Sequence, residues 1–274
     1  MAEKTRVDVA LVTRGLSNSR EKAQAQVLAG LVYIGERKVN KPSETVTEQE
    51  NLLVRGSMHP YVGRGGLKLE KALTVFDADV TDCIAMDIGA ATGGFTDVLL
   101  QNGAKHVYAV DVGYGQLDWK LRNDERVSVM ERTNARHLTV ADFLIRPDTT
   151  VMDVSFISIK LILPVAAEIM GDKGRFFTLI KPQFEAGRAN VGKKGVVRDK
   201  KVHIDVLGDI VSFVNTMGWA VNGLSFSPIT GPEGNIEFLA WIERENISGY
   251  AADDEAISIL VDTAHEVLKK TIPL

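Results

Sequence analysis

Ile84-Ala-Met-Asp-Ile-Gly-Ala-Ala-Thr-Gly-Gly-Phe-Thr-Asp97 ends an apolar strand with a carboxylate, turns on glycines and enters a helix. Glycines 89, 93 and 94 let the backbone turn tightly and approach a ligand where a Cβ would obstruct it. Asp87 sits at the mouth of that turn. A dinucleotide pyrophosphate would be repelled by the carboxylate, whereas the ammonium and sulfonium of S-adenosylmethionine would gain from it. The spacing Gly89-x-x-x-Gly93 also departs from the Gly-x-Gly-x-x-Gly of dinucleotide folds. A second apolar run, His106-Val-Tyr-Ala-Val-Asp111, closes on an acid placed to take ribose hydroxyls. Both cofactor classes use that second acid, so the first one decides for the methyl donor. The cofactor is expected against Asp87, Gly89, Ala90, Gly93, Gly94, Phe95, Thr96, Asp111 and Asn134.

Outward from this stretch, apolar strands are expected near 84–88, 106–111, 127–130, 149–153 and 175–180. Helical stretches alternate with them near 67–76, 92–102, 115–122, 157–170 and 200–217. Such alternation predicts an α/β domain with a doubly wound, mostly parallel sheet. Val221–Phe226 and Ile236–Ile242 follow without a long helix between them, so the sheet should finish with an antiparallel strand. Seven strands in that order make the Rossmann-like sheet of many S-adenosylmethionine methyltransferases. In the tail, Ile257, Leu260, Val261, Ala264, Val267 and Leu268 recur at helical spacing and read as packing.

The 274 residues allow one large domain plus a small one, with 45% hydrophobic and 25% charged residues. Met1-Ala-Glu-Lys-Thr-Arg6 runs straight into charge, and no run approaches the apolar length of a membrane span, so a cytoplasmic protein is expected. The single cysteine, Cys83, cannot form an internal disulfide and reads as a small buried hydrophobe. Trp119, Trp219 and Trp241 stand among apolar neighbours and read as core or cofactor walls. No metal site is expected, and the oligomeric state is left open.

The net charge of −4 is unevenly spread, because residues 1–41 hold eight basic and four acidic side chains. A nucleic-acid partner would be met there. Residues 6–14 read as a helix stopped by Gly15, with Val7, Leu11 and Val12 on one side. Asn18-Ser-Arg-Glu21 reads as a capping-box start for a second helix carrying Ala23, Val27 and Leu28 and ended by Gly30. Val32-Tyr-Ile-Gly-Glu-Arg-Lys-Val39 alternates around a turn, and Leu52–Val54 supplies another short strand. This small α+β module, residues 1–58, resembles the α-L type RNA-binding module first described in a ribosomal small-subunit protein. The resemblance implies RNA contacts from Arg20, Lys22, Gln24, Arg37, Lys38 and Lys41, each of which also fits plain surface solubility. Residues 59–66, with His59-Pro and Gly63-Arg-Gly-Gly, read as a linker to a second domain over 67–274.

Four ionisable residues stand at element ends of that second domain: Lys68, Asp153, Lys181 and Glu237. Such groups at the ends of apolar strands are costly to bury unless paired or functional. Gly63-Arg-Gly-Gly-Leu-Lys-Leu, the Asp87 turn, Asp153-Val-Ser-Phe-Ile-Ser, Leu179-Ile-Lys-Pro-Gln-Phe-Glu185 and Gly234-Asn-Ile-Glu237 together resemble the TlyA-type ribosomal RNA methyltransferases, often labelled haemolysin A. Their second domain is similar to the FtsJ-type ribose 2′-O-methyltransferases, which carry a Lys-Asp-Lys-Glu tetrad. By resemblance the tetrad maps onto Lys68, Asp153, Lys181 and Glu237, with cytidine of ribosomal RNA in assembled subunits as the implied target.

A ribose 2′-hydroxyl is a poor nucleophile, so attack on a methyl donor needs its proton accepted or its lone pair aimed. Lys181 is the candidate for either role, and its resting protonation state is left open, since burial and Lys68 oppose Asp153 and Glu237. Base-directed amino methyltransferases use an Asn/Asp-Pro-Pro-aromatic turn, and Asp153-Val-Ser-Phe156 lacks both prolines. Arg188, Lys193, Lys194 and Arg198 crowd a glycine-containing loop just after Lys181 and could close over an RNA backbone. Two competing readings are a non-catalytic RNA-binding protein with a vestigial cofactor fold and a membrane-active haemolysin. The complete tetrad speaks against the first, and the lack of a span or basic amphipathic helix speaks against the second.

Overall fold

The computed structural model describes residues 4–28, 30–55 and 59–269 and divides the chain into two compact units, 1–60 and 61–274. Residues 1–3 of the charged amino terminus and the expected domain end at 58 lie outside the described residues.

In the first unit, β1 (Lys4–Arg6) pairs antiparallel with β4 (Thr45–Thr47), and α1 (Val7–Thr13) follows β1 directly. α2 (Arg20–Leu28) packs on α1, while β2 (Val32–Ile34), β3 (Arg37–Lys38) and β5 (Leu52–Val54) form a three-stranded sheet in the order β3-β2-β5. The core is Val7, Ala10, Leu11, Ala23, Val27, Val32, Ile34, Val39, Val46 and Leu52. Two details differ from the sequence reading. The cap of α2 is Ser19, whose hydroxyl accepts the Lys22 N–H at 3.2 Å, rather than Asn18. Of the three apolar residues read on this helix, Ala23 and Val27 are buried and Leu28, its last residue, is exposed.

The second unit opens with α3 (Gly66–Val75). Then come β6 (Ile84–Ile88), α4 (Gly94–Gln101), β7 (His106–Val110), α5 (Trp119–Arg122), β8 (Val127–Met130), β9 (Thr149–Met152), α6 (Leu163–Met170), β10 (Arg175–Ile180) and α7 (Pro182–Glu185). It closes with α8 (Lys200–Thr216), β11 (Ala220–Phe226), β12 (Phe238–Glu243) and α9 (Asp254–Lys269). The seven strands lie in the order β11-β12-β10-β9-β6-β7-β8. β6 to β10 run parallel, whereas β12 runs antiparallel to both β10 and β11. The antiparallel strand is therefore inserted next to the edge rather than placed at it. The chain winds out through β7 and β8 and returns to β9 on the other side of β6, so a crevice opens beyond the carboxyl ends of β6 and β9.

Helices cover both faces, which is why the strands read as continuous apolar runs. Along β10, Phe176 and Ile180 join the face covered by Ile169 of α6, Leu207 of α8 and Val261 of α9. Phe177 and Leu179 join the opposite face with Leu69 of α3 and Val98 of α4. Residues 61–66, read from sequence as linker, pack into this unit: Tyr61 is buried and its hydroxyl donates to Glu70 at 2.7 Å. Asp97 accepts the Val62 N–H at 2.8 Å and so pins the segment to α4. Within 115–122 only Trp119–Arg122 is helical, and Trp119 is 77% exposed, which corrects its assignment to a wall. Trp219 is buried and Trp241 half-buried, as packing residues.

Candidate active site

Three of the four candidate residues stand beside strand ends at one edge of the sheet. Asp153 follows β9, Lys181 follows β10, and Glu237 precedes β12, whose antiparallel run brings its amino end level with the carboxyl end of β10. Lys68, in the first turn of α3, reaches across to them. Lys68 Nζ lies 3.0 Å from Asp153 Oδ2 and 2.7 Å from Glu237 Oε2. Lys181 Nζ lies 2.5 Å from Asp153 Oδ1 and donates to Ser155 Oγ at 3.0 Å. The four form a chain, Glu237–Lys68–Asp153–Lys181, in which acids and lysines alternate.

Burial alone would pull the Lys68 ammonium down, but the Asp153 and Glu237 carboxylates outweigh it and hold Lys68 above its ordinary value. Burial likewise pushes Asp153 up, and the two lysines outweigh it and hold its carboxyl below the usual range. Lys68 is therefore a fixed cation rather than a proton acceptor, and Asp153 a fixed anion that aims both lysines.

Two adjoining cavities open beside this chain. One, of about 280 Å³, is lined by Lys68, Asp153, Lys181 and Glu237 together with Arg64, Gly94 and Phe95. The other, of about 330 Å³, is lined by Asp111, Asn134, Gln116 and apolar Ile88, Val110 and Ile162. Gly89, Ala91, Asp153 and Ser155 border both. The second cavity offers a carboxylate for a ribose diol beside apolar walls for a base, and the first offers charged groups of both signs. Together these groups would suit a nucleoside cofactor that carries charge. Asp111 is itself held by the amides of Ala91 at 2.8 Å and Gly113 at 2.7 Å.

The expected cofactor residues divide. Gly89, Ala90, Gly94, Phe95, Asp111 and Asn134 line one cavity or the other. Asp87, Gly93 and Thr96 do not. Asp87 is fully buried, and its Oδ2 accepts the Thr96 N–H at 3.0 Å and the Thr96 hydroxyl at 2.7 Å, tying the strand to the start of α4. Burial, only partly offset by Thr96, pushes its carboxyl up to about 7. Asp87 thus ties β6 to α4 through Oδ2, while its Oδ1 has no hydrogen-bond partner among the described residues. Gly93 is required by its left-handed backbone, φ 93°, and a Cβ there would also press on the Leu121 side chain. Gly89 is required because a Cβ would meet the Asp153 carbonyl at 2.7 Å. Both glycines serve close packing of the chain on itself.

Sequence reasoning missed Ser155, Arg64 and Glu185, although each stood inside a quoted motif. A hydroxyl or a carboxylate two or four residues from a named group carries no periodic signal of its own.

Of the RNA candidates, Arg20 and Gln24 converge on buried Asp8, at 3.0 and 2.8 Å, together with Arg6. Arg37 pairs with Glu44 at 2.7 Å, while Lys22, Lys38 and Lys41 are exposed. Arg188 lines an open groove of about 770 Å³ with Arg136, Phe156 and Phe184. Lys193, Lys194 and Arg198 are exposed on a loop that Asn235 fixes, donating to Gly195 O at 2.9 Å and accepting the Val197 N–H at 3.0 Å. Among the described residues no cluster suits a metal ion, and no helix is long and apolar enough to cross a membrane.

Residues 61–244 match the FtsJ-like methyltransferase family and residues 5–52 the S4 domain. A Bacillus subtilis protein described as an rRNA methyltransferase, YqxC, is 53% identical over 98% of this chain and 97% of its own length. The Mycobacterium tuberculosis 16S/23S rRNA (cytidine-2′-O)-methyltransferase TlyA is 41% identical over 98% of this chain and 99% of its own. A solved structure from Streptococcus thermophilus, described as a hemolysin, superposes with a TM-score of 0.77 at 48% identity, covering 99% of each chain. With a match over most of its length and relatives of this identity, the chain belongs to the FtsJ-like methyltransferase family and carries an S4 domain in front of the methyltransferase fold.

Proposed function

We propose that this protein transfers the methyl group of S-adenosylmethionine to a ribose 2′-hydroxyl of ribosomal RNA, with cytidine in a ribosomal subunit as the target and the cytoplasm as its place of action. The observation that carries the reading is the chain Glu237–Lys68–Asp153–Lys181 at the wall of a cavity that continues to Asp111. The relatives named for rRNA cytidine-2′-O-methylation support the choice of nucleophile.

When bound, S-adenosylmethionine supplies an electrophilic methyl on its sulfonium. The residues of this chain do the rest. Asp111 and Asn134 would hold the cofactor's adenosine, and Arg64 would meet its carboxylate. Lys181, aimed by Asp153 and Ser155, directs or deprotonates the hydroxyl. Lys68 is held charged and keeps Asp153 and Glu237 in place. The S4 domain brings RNA through its exposed Lys22, Lys38 and Lys41 together with Arg20, Arg37 and Gln24, and Arg188, Lys193, Lys194 and Arg198 contact its backbone beside the site.

The test is incubation of the full chain with methyl-labelled S-adenosylmethionine and purified ribosomal subunits, followed by mapping of the label. Label on a cytidine 2′-oxygen, read as a linkage resistant to alkali, is the expected result. Label on a base, or none on RNA of either subunit, would refute the reading.

A further inference from the structure

The segment after β9 and the segment after β10 are joined at two places. At the near end Lys181 Nζ meets Asp153 Oδ1 at 2.5 Å and Ser155 Oγ at 3.0 Å. At the far end Glu185, half-buried in the last turn of α7, accepts the Ser158 hydroxyl at 2.6 Å on one carboxylate oxygen and the Ile159 N–H at 2.9 Å on the other. Between the two ties Phe156 stands 91% exposed at φ 64°, its ring 5.2 Å from that of Phe184. A left-handed backbone at an aromatic residue is rarely adopted, and it persists only where the surroundings over-determine it.

The near tie alone cannot do this. Ser155 is exposed and meets Lys181 only as long as its loop keeps this path. The loop is free to relax wherever its far end is not held, and the residue that holds it lies four positions after Lys181 in Lys181-Pro-Gln-Phe-Glu185. Pro182 and the short helix α7 make that spacing stiff. Burial pushes the Glu185 carboxyl up, against the Ser158 and Ile159 donors that favour its ionised form.

We infer that Glu185 is a positioning residue for the methyl transfer: by clamping the 153–159 loop to α7 it keeps Ser155 and Asp153 on Lys181 Nζ, and so sets the direction in which that nitrogen faces the nucleophile. The inference rests on the reading of Lys181 as the group that acts on the 2′-hydroxyl. Glu185 lines neither of the two cavities given to the cofactor, so its contribution is to turnover rather than to cofactor binding.

The experiment compares wild type, Glu185→Ala, Glu185→Gln and Ser158→Ala as full chains, with two readouts. The first is kcat and KM for methylation of ribosomal subunits, and the second is amide hydrogen exchange over residues 153–159. Glu185→Ala should lower kcat by about tenfold to a hundredfold, on the scale of a misplaced catalytic group, with cofactor KM little changed and Ile159 exchange faster. Glu185→Gln keeps a carbonyl for the Ile159 N–H and an amide that the Ser158 hydroxyl can accept from, so it should restore most of kcat and of the protection. Unchanged kcat in Glu185→Ala, a loss confined to KM, or a Gln variant as impaired as Ala would overturn the inference. If Glu185→Ala fails to fold, Ser158→Ala, which deletes one hydroxyl, decides: a several-fold fall in kcat supports the clamp and wild-type kcat overturns it. A wild-type chain that methylates no RNA would refute the proposed function, and the exchange arm would then judge the clamp by itself.

Discussion

Glu237 holds Lys68 and not Lys181: its Oε2 lies 2.7 Å from Lys68 Nζ, while Lys181 is bound by Asp153 and Ser155. The two lysines therefore fail differently when removed. Lys68→Met strips the cation shared by Asp153 and Glu237, one of them 2% exposed, and should destabilise the methyltransferase unit by about 3 kcal/mol or more. Lys181→Ala leaves Asp153 paired with Lys68, so it should lower turnover by about 10² or more with the melting temperature nearly unchanged. Thermal melts and single-turnover methylation of both variants check this. A Lys181 variant with normal turnover would return that lysine to a structural role.

Asp87 makes a prediction of the opposite kind to a surface carboxylate. Its folded-state value, pushed by burial from 3.8 to about 7, lies above its unfolded one. The stability it contributes is complete below about pH 4 and is lost as pH rises through about 7, a difference of roughly 2 to 4 kcal/mol. Asp87→Asn can still accept from Thr96 and should flatten that slope in a series of melts from pH 4.5 to 8. Because the carboxylate lines neither cavity, the same variant should bind S-adenosylmethionine with little change. A steep loss of affinity would restore a direct electrostatic role for this acid.

What the sequence made legible follows from burial. β6 is buried at every position and β10 at all but its first, so a continuous apolar run marked each of them, and the order of elements then fixed the winding. The tetrad was legible as four charged residues at apolar element ends. Its wiring was not, because which carboxylate reaches which ammonium depends on β12 running antiparallel beside β10. Gly89 and Gly94 border a cavity, whereas Asp87 at the end of the same run turns toward α4, since a strand pattern does not say whether a terminal side chain faces a cavity or the next helix. β1 and β4 went unseen because Lys4-Thr-Arg6 and Thr45-Val-Thr47 are largely polar, unlike the apolar three-residue run Leu52–Val54. Trp119 was misjudged since hydrophobicity alone does not tell a wall from an exposed ring.

The S4 domain has its own pH signature. The Arg6 hydrogen bonds, with further help from Gln24 and Arg20, hold the Asp8 carboxyl well below its usual range. A depressed carboxyl contributes stability above its unfolded value of about 3.8 that is lost as pH falls further. Melting of this unit should therefore drop below about pH 4, in contrast to the Asp87 trend. Asp8→Asn should cost about 1 kcal/mol at neutral pH, given that Arg6 and Arg20 are half-exposed and screened by solvent, and should blunt the acid limb. An unaltered acid limb in the variant would show that other groups govern it.

The last prediction concerns how RNA is held. The basic excess of residues 1–41 lies in the S4 domain, while every residue lining the two candidate cavities belongs to 61–274. Removing residues 1–60 should therefore leave S-adenosylmethionine affinity intact and abolish methylation of structured RNA. The binding that is lost should be electrostatic, so affinity for ribosomal RNA should fall steeply with salt, and each phosphate contact removed should make the slope shallower by about one unit. Arg20 is a poor probe, because neutralising it also unties Asp8 and mixes folding with binding. Lys38 and Lys41 are exposed and give the cleaner measurement. Subunit binding by full-length, truncated, Lys38→Ala and Lys41→Ala proteins over a salt series separates the alternatives. Parallel slopes and equal affinities for the full and truncated chains would mean that Arg188, Lys193, Lys194 and Arg198 hold the RNA unaided, and that the S4 domain serves some other purpose.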